Sequence, residues 1–437
     1  MQAVREAIPT TVTSAQRTHY PIIDTTLANG LRLLVNPDPL APGVAVNLWY
    51  GVGSRDETVG ATGFAHLFEH LMFAGSAQVV SGEHLTAIQA VGGSANATTG
   101  FDRTNYFQTV GPQALELALW LESERMSSLR VDEENFTTQR EVVKEEKRQR
   151  YDNVPYGDQL MLLLELNFPA GYPYRHAPIG SMADLDAATL TDVQAFHQRW
   201  YHPGNATLAL SGAVEVETAH ELVGRYFGQL PAGTPAGREQ CPTLPPHHDH
   251  AELTVQREVP RPMLHLGWRT PALDHPDRLA LDIALALLGD GQSARLNRDL
   301  VRERQLAEGI GCLDLGLARG SSLAVISARP REDVELSALT EPILAHLERL
   351  AANGPDTREL ARTKAGIERE WLAGLAPVDR RADQLNFMTG HFDDPERINH
   401  ELDEILAIGA EQVAQATRTW LHPEHCSALR YLIGTTR

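Results

Sequence analysis

The chain repeats itself. The segment DVQAFHQRWYHPGNATLALSG at 192–212 answers QVAQATRTWLHPEHCSALRYL at 412–432, and a shift of 220 residues lays Val193 on Val413, Trp200 on Trp420, His202 on His422 and Pro203 on Pro423. Each copy reads as an amphipathic helix, a Pro-marked turn and an apolar strand. Earlier in each half, the stretches around Arg32 and Leu253 both set two β-type runs across a Pro-containing break and then start a helix. The simplest organisation is two copies of one unit, each mixing β-hairpins with helices, and a missed repeat would misassign the whole fold. The expected units are 1–230 and 253–437, joined by a Pro-, Gly- and polar-rich linker at 231–252. His247, His248 and His250 cluster in that linker. No acidic or Cys partner stands at ligand spacing beside them, so they read as solvated linker rather than a metal site.

Composition removes several classes of function. Among 437 residues, 38 Lys and Arg face 57 Asp and Glu, a formal charge of −19. A nucleic-acid grip needs a basic surface that such a chain would have to build against its own field, whereas basic peptide substrates are mildly favoured. With 42% hydrophobic and 22% charged residues the chain is a globular one. No apolar stretch approaches the roughly 18 to 20 residues of a bilayer span. Cys241, Cys312 and Cys426 are too few and too scattered for a disulfide framework or a zinc knuckle. The opening MQAVREAIPTTVTSAQ lacks a basic-then-apolar leader, which leaves a cytoplasmic chain or the mature form of an exported one.

The chemistry is carried by TGFAHLFEHLMFAGS at 62–76. As a helix it is apolar almost all round, with Phe64, Leu67, Phe68, Leu71, Met72 and Phe73, so it is expected to be buried. His66 and His70 stand one turn apart, with Glu69 beside them. Burying such groups without partners costs several kcal/mol. Two imidazoles at i and i+4 converging on one Zn²⁺, with a nearby carboxylate that is not itself a ligand, remove that cost; this is the H-x-x-E-H pattern, the reverse of the H-E-x-x-H zinc-protease helix. A third ligand is offered by ENFTTQREVVKEEKRQRYDN at 134–153. Read as a helix, its inward face carries Phe136, Gln139, Val143 and Glu146, while Glu141 and Glu145 share a charged outer face with Gln149.

These motifs resemble the M16 metallopeptidases, the inverzincin family, whose Glu ligand stands about 76 residues beyond the second His; here that position is Glu146. The likeness runs along most of the chain, through LANGLRLLV, GSRDE, SANATTGFDRTNYF, APIGSMADL, RWYHPGNATLALSG and GDGQSARLNRDL. Size and two-unit construction look most like the M16B branch that includes mitochondrial processing peptidase. The resemblance implies an α+β fold of two homologous domains, each a mixed, mostly antiparallel sheet with helices packed on it, and a chamber closed by two such chains. It implies a zinc endopeptidase with one Zn²⁺ per chain on His66, His70 and Glu146, and Glu69 as general base. It also implies that SANATTGFDRTNYF, read here as one strand from Ser94 to Phe107, is an exposed edge that takes a peptide as an added strand, with Asn96 and Ala97 as substrate contacts.

Two positions depart from the family pattern. Gln139 stands where a second Glu is common, seven residues before the Glu ligand, and the expected consequence is altered tuning of the site rather than lost metal. The Arg and Tyr that complete the site from the second half fall here on Val301 and Glu308, and the helix matching 62–76, ALDIALALLGDGQSARL, has neither His nor Glu. The resemblance therefore implies a heterodimer in which a paralogous M16B subunit supplies the pair. A noncatalytic assembly subunit and a self-sufficient homodimeric processing peptidase are the alternatives. Small exported relatives of this kind point to the periplasm.

Overall fold

The computed structural model of the chain describes residues 19–434, apart from 235–236, 238–239 and 248–250. The opening sixteen residues, His248 and His250 lie outside the described residues. The strands β1 (Ile23–Thr26), β2 (Arg32–Pro37), β3 (Val44–Tyr50), β4 (Ser94–Thr99), β5 (Thr104–Val110) and β6 (Ala206–Gly212) form one sheet in the order β1-β2-β6-β3-β5-β4. A second sheet, ordered β7-β11-β8-β10-β9, takes β7 (Glu252–Arg257), β8 (Met263–Pro271), β9 (Ala307–Asp314), β10 (Ser321–Pro330) and β11 (Ser427–Ile433). Apart from β1 the two orders are the same. Each has one parallel pair, β2 with β6 and β7 with β11, and is otherwise antiparallel. The repeat in sequence is a repeat in topology, and the fold is the expected α+β pair of mixed sheets with helices on them.

The segment from Ser94 to Phe107 is two strands rather than one. Gly100 donates to the Arg103 carbonyl at 2.9 Å, turning the chain at Phe101–Asp102 into a hairpin whose arms are β4 and β5. Thr98 Oγ1 and Asn105 Oδ1 meet across the arms at 2.6 Å. The Gly-Phe-Asp turn chemistry outweighs the continuous β-propensity on either side. β4 stays at the sheet edge, as expected.

Strands of the first sheet end at residue 212 and those of the second begin at 252, but helices are exchanged between the halves. Helix Val378–Phe392 packs on β6 and β3 of the first sheet, where Ala382, Leu385 and Met388 meet Leu34, Ala45 and Ala209. Helix Gln159–Asn167 packs on β11 and β8 of the second. The same shift of 220 carries 159–167 onto 379–387, so the exchange is itself symmetric. It explains why β3, VAVNLWY, is buried at every residue: both faces are covered.

A polar cluster at each exchange fixes the fit. Asp383 Oδ1 accepts from Asn47 Nδ2 (3.2 Å), Trp49 Nε1 (3.0 Å) and Asn105 Nδ2 (3.0 Å). On the other side Asn167 Oδ1 accepts from Ser427 Oγ at 2.9 Å and lies 3.0 Å from His247 Nε2. His247 is thus 7% exposed and tethered, which corrects its reading as solvated linker. The three cysteines form no disulfide. Replacing Asp383 by Ala strands the Asn47 amide and the Trp49 indole on β3, while Asn105 Nδ2 keeps Asn47 Oδ1 at 3.2 Å, and at roughly 1 to 3 kcal/mol for a buried group left unpaired the expected loss is about 2 kcal/mol or more. Urea unfolding measures it; an unchanged midpoint would show that the cluster does not hold the halves together.

Candidate metal centre

The histidine helix runs Phe64–Leu71 and begins at Gly63, which has φ 96° and no side chain to cap with. Its first amides are satisfied by Glu57, whose carboxylate accepts from Gly63 N–H and Ala65 N–H, both at 2.8 Å. Glu57 is fully buried, and burial raises its pKa against the opposing pull of His176, whose Nε2 lies 2.8 Å away. A carboxylate at a helix N-terminus is well placed for the macrodipole. Gly180 presses against the same turn so closely that a Cβ there would stand 2.4 Å from the Gly63 backbone. The helix start is therefore pinned by residues 57, 176 and 180, of which Glu57 and Gly180 belong to the GSRDE and APIGSMADL segments.

Pinned this way, the helix buries Phe64, Ala65, Leu67, Phe68 and Leu71 in the core of the first half. It is not buried all round, contrary to what its composition suggests. His66, Glu69 and His70 form a stripe on the remaining side, with His66 and His70 side chains 12% and 21% exposed.

Glu146 arrives from helix Glu133–Lys147, which starts on Asp132 as a cap to Asn135 N–H at 3.0 Å and packs inward through Phe136 and Val143. The next five residues, Arg148–Asp152, widen into a π-turn. Glu146 Oε2 lies 3.2 Å from His70 Nε2 and 3.7 Å from His66 Nε2. Arg150 Nη1 holds the other oxygen, Oε1, at 2.6 Å. His66, His70 and Glu146 are the one group of three such donors, among the described residues, whose ligand atoms all lie within 4.8 Å of one another.

The donor set fits a cation such as Zn²⁺. Burial, reinforced by His70, pushes His66 down to about 4, so its imidazole is neutral and offers a lone pair. Neutral imidazole nitrogens and a carboxylate oxygen are acceptors, and acceptors gather at such distances around a proton or a metal ion. His66 Nδ1 is buried without a hydrogen-bond partner, so no protein group fixes that ring from behind. Gln139 lies two turns before Glu146 on the same helix face, half-buried.

Glu69 is tied to the edge strand β4. Thr99, the last residue of β4, donates from Oγ1 to Glu69 Oε2 at 2.6 Å. Burial raises the Glu69 pKa, and the Thr99 hydrogen bond opposes the rise. Nothing in the sequence singles out Thr99, although it closes the strand named as the substrate edge. Asn96 is exposed on that strand and its Oδ1 takes the Ala97 amide at 2.9 Å, whereas Ala97 itself is buried. In the second half Val301 is half-buried within Asn297–Glu303, and Glu308 lies on β9, 3.6 Å from Arg261. The shift of 220 lays His66, His70 and Glu146 on Ala286, Asp290 and Gly366, which line a cavity of about 230 Å³ that holds one of the three donors at most.

Comparison with known proteins agrees with this architecture. Residues 32–165 match the family described as Insulinase (Peptidase family M16), and residues 187–367 match Peptidase M16 inactive domain. A zinc protease, PqqE, of Helicobacter pylori is 34% identical over 362 residues, covering 80% of this chain and 79% of its own. An uncharacterized zinc protease of Mycobacterium leprae is 28% identical over 409 residues, 93% of this chain and 90% of its own. Among solved structures, a protease from Helicobacter pylori superposes with a TM-score of 0.87 at 27% identity, covering 94% of this chain and 100% of its own. Pitrilysin shares the fold at 0.78 and 18% identity, covering 97% of this chain and 46% of its own. The chain belongs to peptidase family M16, with relatives that are zinc proteases. No helix among the described residues is long and apolar enough to cross a membrane.

Proposed function

We propose that this chain is the metal-bearing subunit of an M16B zinc endopeptidase, with His66, His70 and Glu146 as the ligands and Glu69 as the general base. The observation that carries the reading is the convergence of those three donor atoms beside Glu69 on one partly exposed stripe. When bound, Zn²⁺ supplies Lewis-acid polarisation and a lowered water pKa. The chain's own residues do the rest. A peptide adds to the free edge of β4 through its backbone, past Asn96 and Ala97, which gives affinity with little regard to side chains. Thr99 orients Glu69 at the end of that edge, and Glu69 takes a proton from the attacking water and returns it to the leaving amine. Arg150 neutralises the outer oxygen of Glu146 and leaves Oε2 facing the histidines. The chamber is closed by a paralogous M16B subunit.

Zinc content separates this reading from a noncatalytic assembly subunit. The purified chain is expected to hold one Zn²⁺ and His66→Ala to lose it; a chain that purifies without metal and is unaffected by His66→Ala would be the scaffold. The Thr99 contact gives a pH test. A base works ionised, so the acid limb of kcat/KM follows the Glu69 pKa, which burial raises and which the Thr99 bond and a bound Zn²⁺ both lower. Thr99→Val removes one bond that favours the charged form, and the limb is expected to move to higher pH than in the parent with the plateau rate little changed. An unmoved limb would detach Thr99 from the base.

A further inference from the structure

The chain is acidic, yet half of the residues lining one cleft are arginines. Between helix Thr340–Asn353, the start of helix Thr357–Leu375 and the turn leading into Asn297–Glu303 lies a cavity of about 570 Å³ lined by Arg295, Arg298, Arg349, Arg358 and Arg362. Two carboxylates share the lining, and both are engaged. Glu359 takes Arg295 through both oxygens, at 2.8 and 2.7 Å, and Asp356 caps its helix by accepting from Glu359 N–H at 2.8 Å. Arg295, 14% exposed, forms the floor, also donating to the Gly354 carbonyl at 3.1 Å. His346 is buried in the wall against Asp299 at 2.7 Å.

The other guanidinium groups are poorly used. Arg349 and Arg358 are exposed and make no side-chain hydrogen bond or ion pair among the described residues; Arg362 reaches only the Ser293 carbonyl at 3.3 Å, and Arg298 stands 3.9 Å from Glu303. Among the described residues, most arginines elsewhere are paired with carboxylates, as Arg32, Arg125, Arg278 and Arg381 are. Like charges gathered in one concavity repel one another, and the field of a −19 chain does not otherwise favour anions. An anion that spans the guanidinium groups relieves that repulsion.

We propose that this cleft is a binding site for an oligophosphate, a ligand with two or more linked phosphate groups. The guanidinium fork matches phosphate oxygens bidentately, and phosphates linked in a short chain present such oxygens to several forks at once. A single phosphate is too small to reach across the cavity. An acidic peptide could place carboxylates there only by ordering several flexible side chains. No Phe, Tyr or Trp lines the cavity and its one imidazole, His346, is buried against Asp299, so no exposed aromatic face is offered to a nucleobase, and an inorganic oligophosphate and the phosphate tail of a nucleotide are recognised alike. The site lies in the second half and does not depend on the zinc reading.

The test is calorimetric titration of the full chain in EDTA, which removes any cation bridging phosphate to the metal centre, with tripolyphosphate, ATP, orthophosphate and hexaglutamate as probes. Expected are one tripolyphosphate per chain, ATP of similar affinity, and orthophosphate and hexaglutamate weaker by about tenfold or more. Affinity should fall with added salt. The double variant Arg349→Ala/Arg358→Ala alters exposed side chains, so its unfolding temperature without ligand is expected to be unchanged while tripolyphosphate binding weakens at least about tenfold. The inference is overturned by absence of tripolyphosphate binding, by a double variant that binds as well as the parent, by ATP more than about tenfold tighter than tripolyphosphate, which would indicate a nucleoside site, or by hexaglutamate as tight, which would indicate a peptide site.

Discussion

Glu69→Gln is expected to reduce peptide hydrolysis by roughly 10² to 10⁴-fold while leaving one zinc per chain. Glutamine keeps the size of the side chain and an oxygen that can accept from Thr99 Oγ1, so the hydrogen bond at 2.6 Å and the packing around it have no reason to change. What is lost is basicity at the carboxylate that shares a helix with His66 and His70 and is not among the proposed ligands. Stability moves the other way. Burial raises the folded pKa of Glu69 above the ordinary 4.5, so the folded chain binds that proton more readily than the unfolded chain. Stability contributed by this group therefore declines as pH rises from 4.5 through the folded value, and at neutral pH the buried charge is a cost. In the metal-free protein Glu69→Gln should unfold at the same temperature as the parent or somewhat higher. A variant that is inactive because it has lost zinc or unfolded, or one that retains full turnover, would deny Glu69 its role.

The parts of this site differ in how openly the sequence declares them. His66, Glu69 and His70 are legible because their contacts follow from helix geometry alone: positions three and four apart share a side. Glu146 is legible as an inward position of its own helix, through Phe136 and Val143, but its meeting with His70 rests on the family spacing. Arg150, Thr99 and Glu57 reach their partners through tertiary packing, and no local period announces a contact between Thr99 and Glu69. The β4–β5 turn is written in Gly100 and Asp102 and masked by the β-rich residues around it. The helix exchange is a different case. The pattern of Ala382, Leu385 and Met388 shows which side of that helix is apolar; it carries no information on which of two similar sheets that side covers. His247 is hidden for the same reason, since its partner Asn167 stands on an exchanged helix.

The second large effect concerns what the chain lacks. In the family pattern an Arg and a Tyr from the second half hold the substrate and its developing charge, and the corresponding positions here are a half-buried Val301 and a Glu308 facing Arg261. Glu308 has the wrong sign to replace them, because a carboxylate repels an oxyanion that a phenol or guanidinium would stabilise. One preorganised donor to such a charge contributes about 10² to 10³ in rate, so the isolated, zinc-loaded chain is expected to cleave peptides at least that far below its complex with a paralogous subunit carrying the Arg and Tyr. The deficit should lie mainly in kcat, because the donors act on charge that develops in the transition state, while the β4 edge proposed to take the peptide backbone belongs to this chain. Titrating the partner against a fixed amount of this chain and following a quenched fluorogenic peptide should give a rate that saturates at one partner per chain. An isolated chain already working at the rate of the mixture would remove the partner and leave a homodimeric peptidase with its oxyanion donor elsewhere. In that case Arg103 and Arg150, whose guanidinium charges act on Glu69 and Glu146, would be the first side chains to replace.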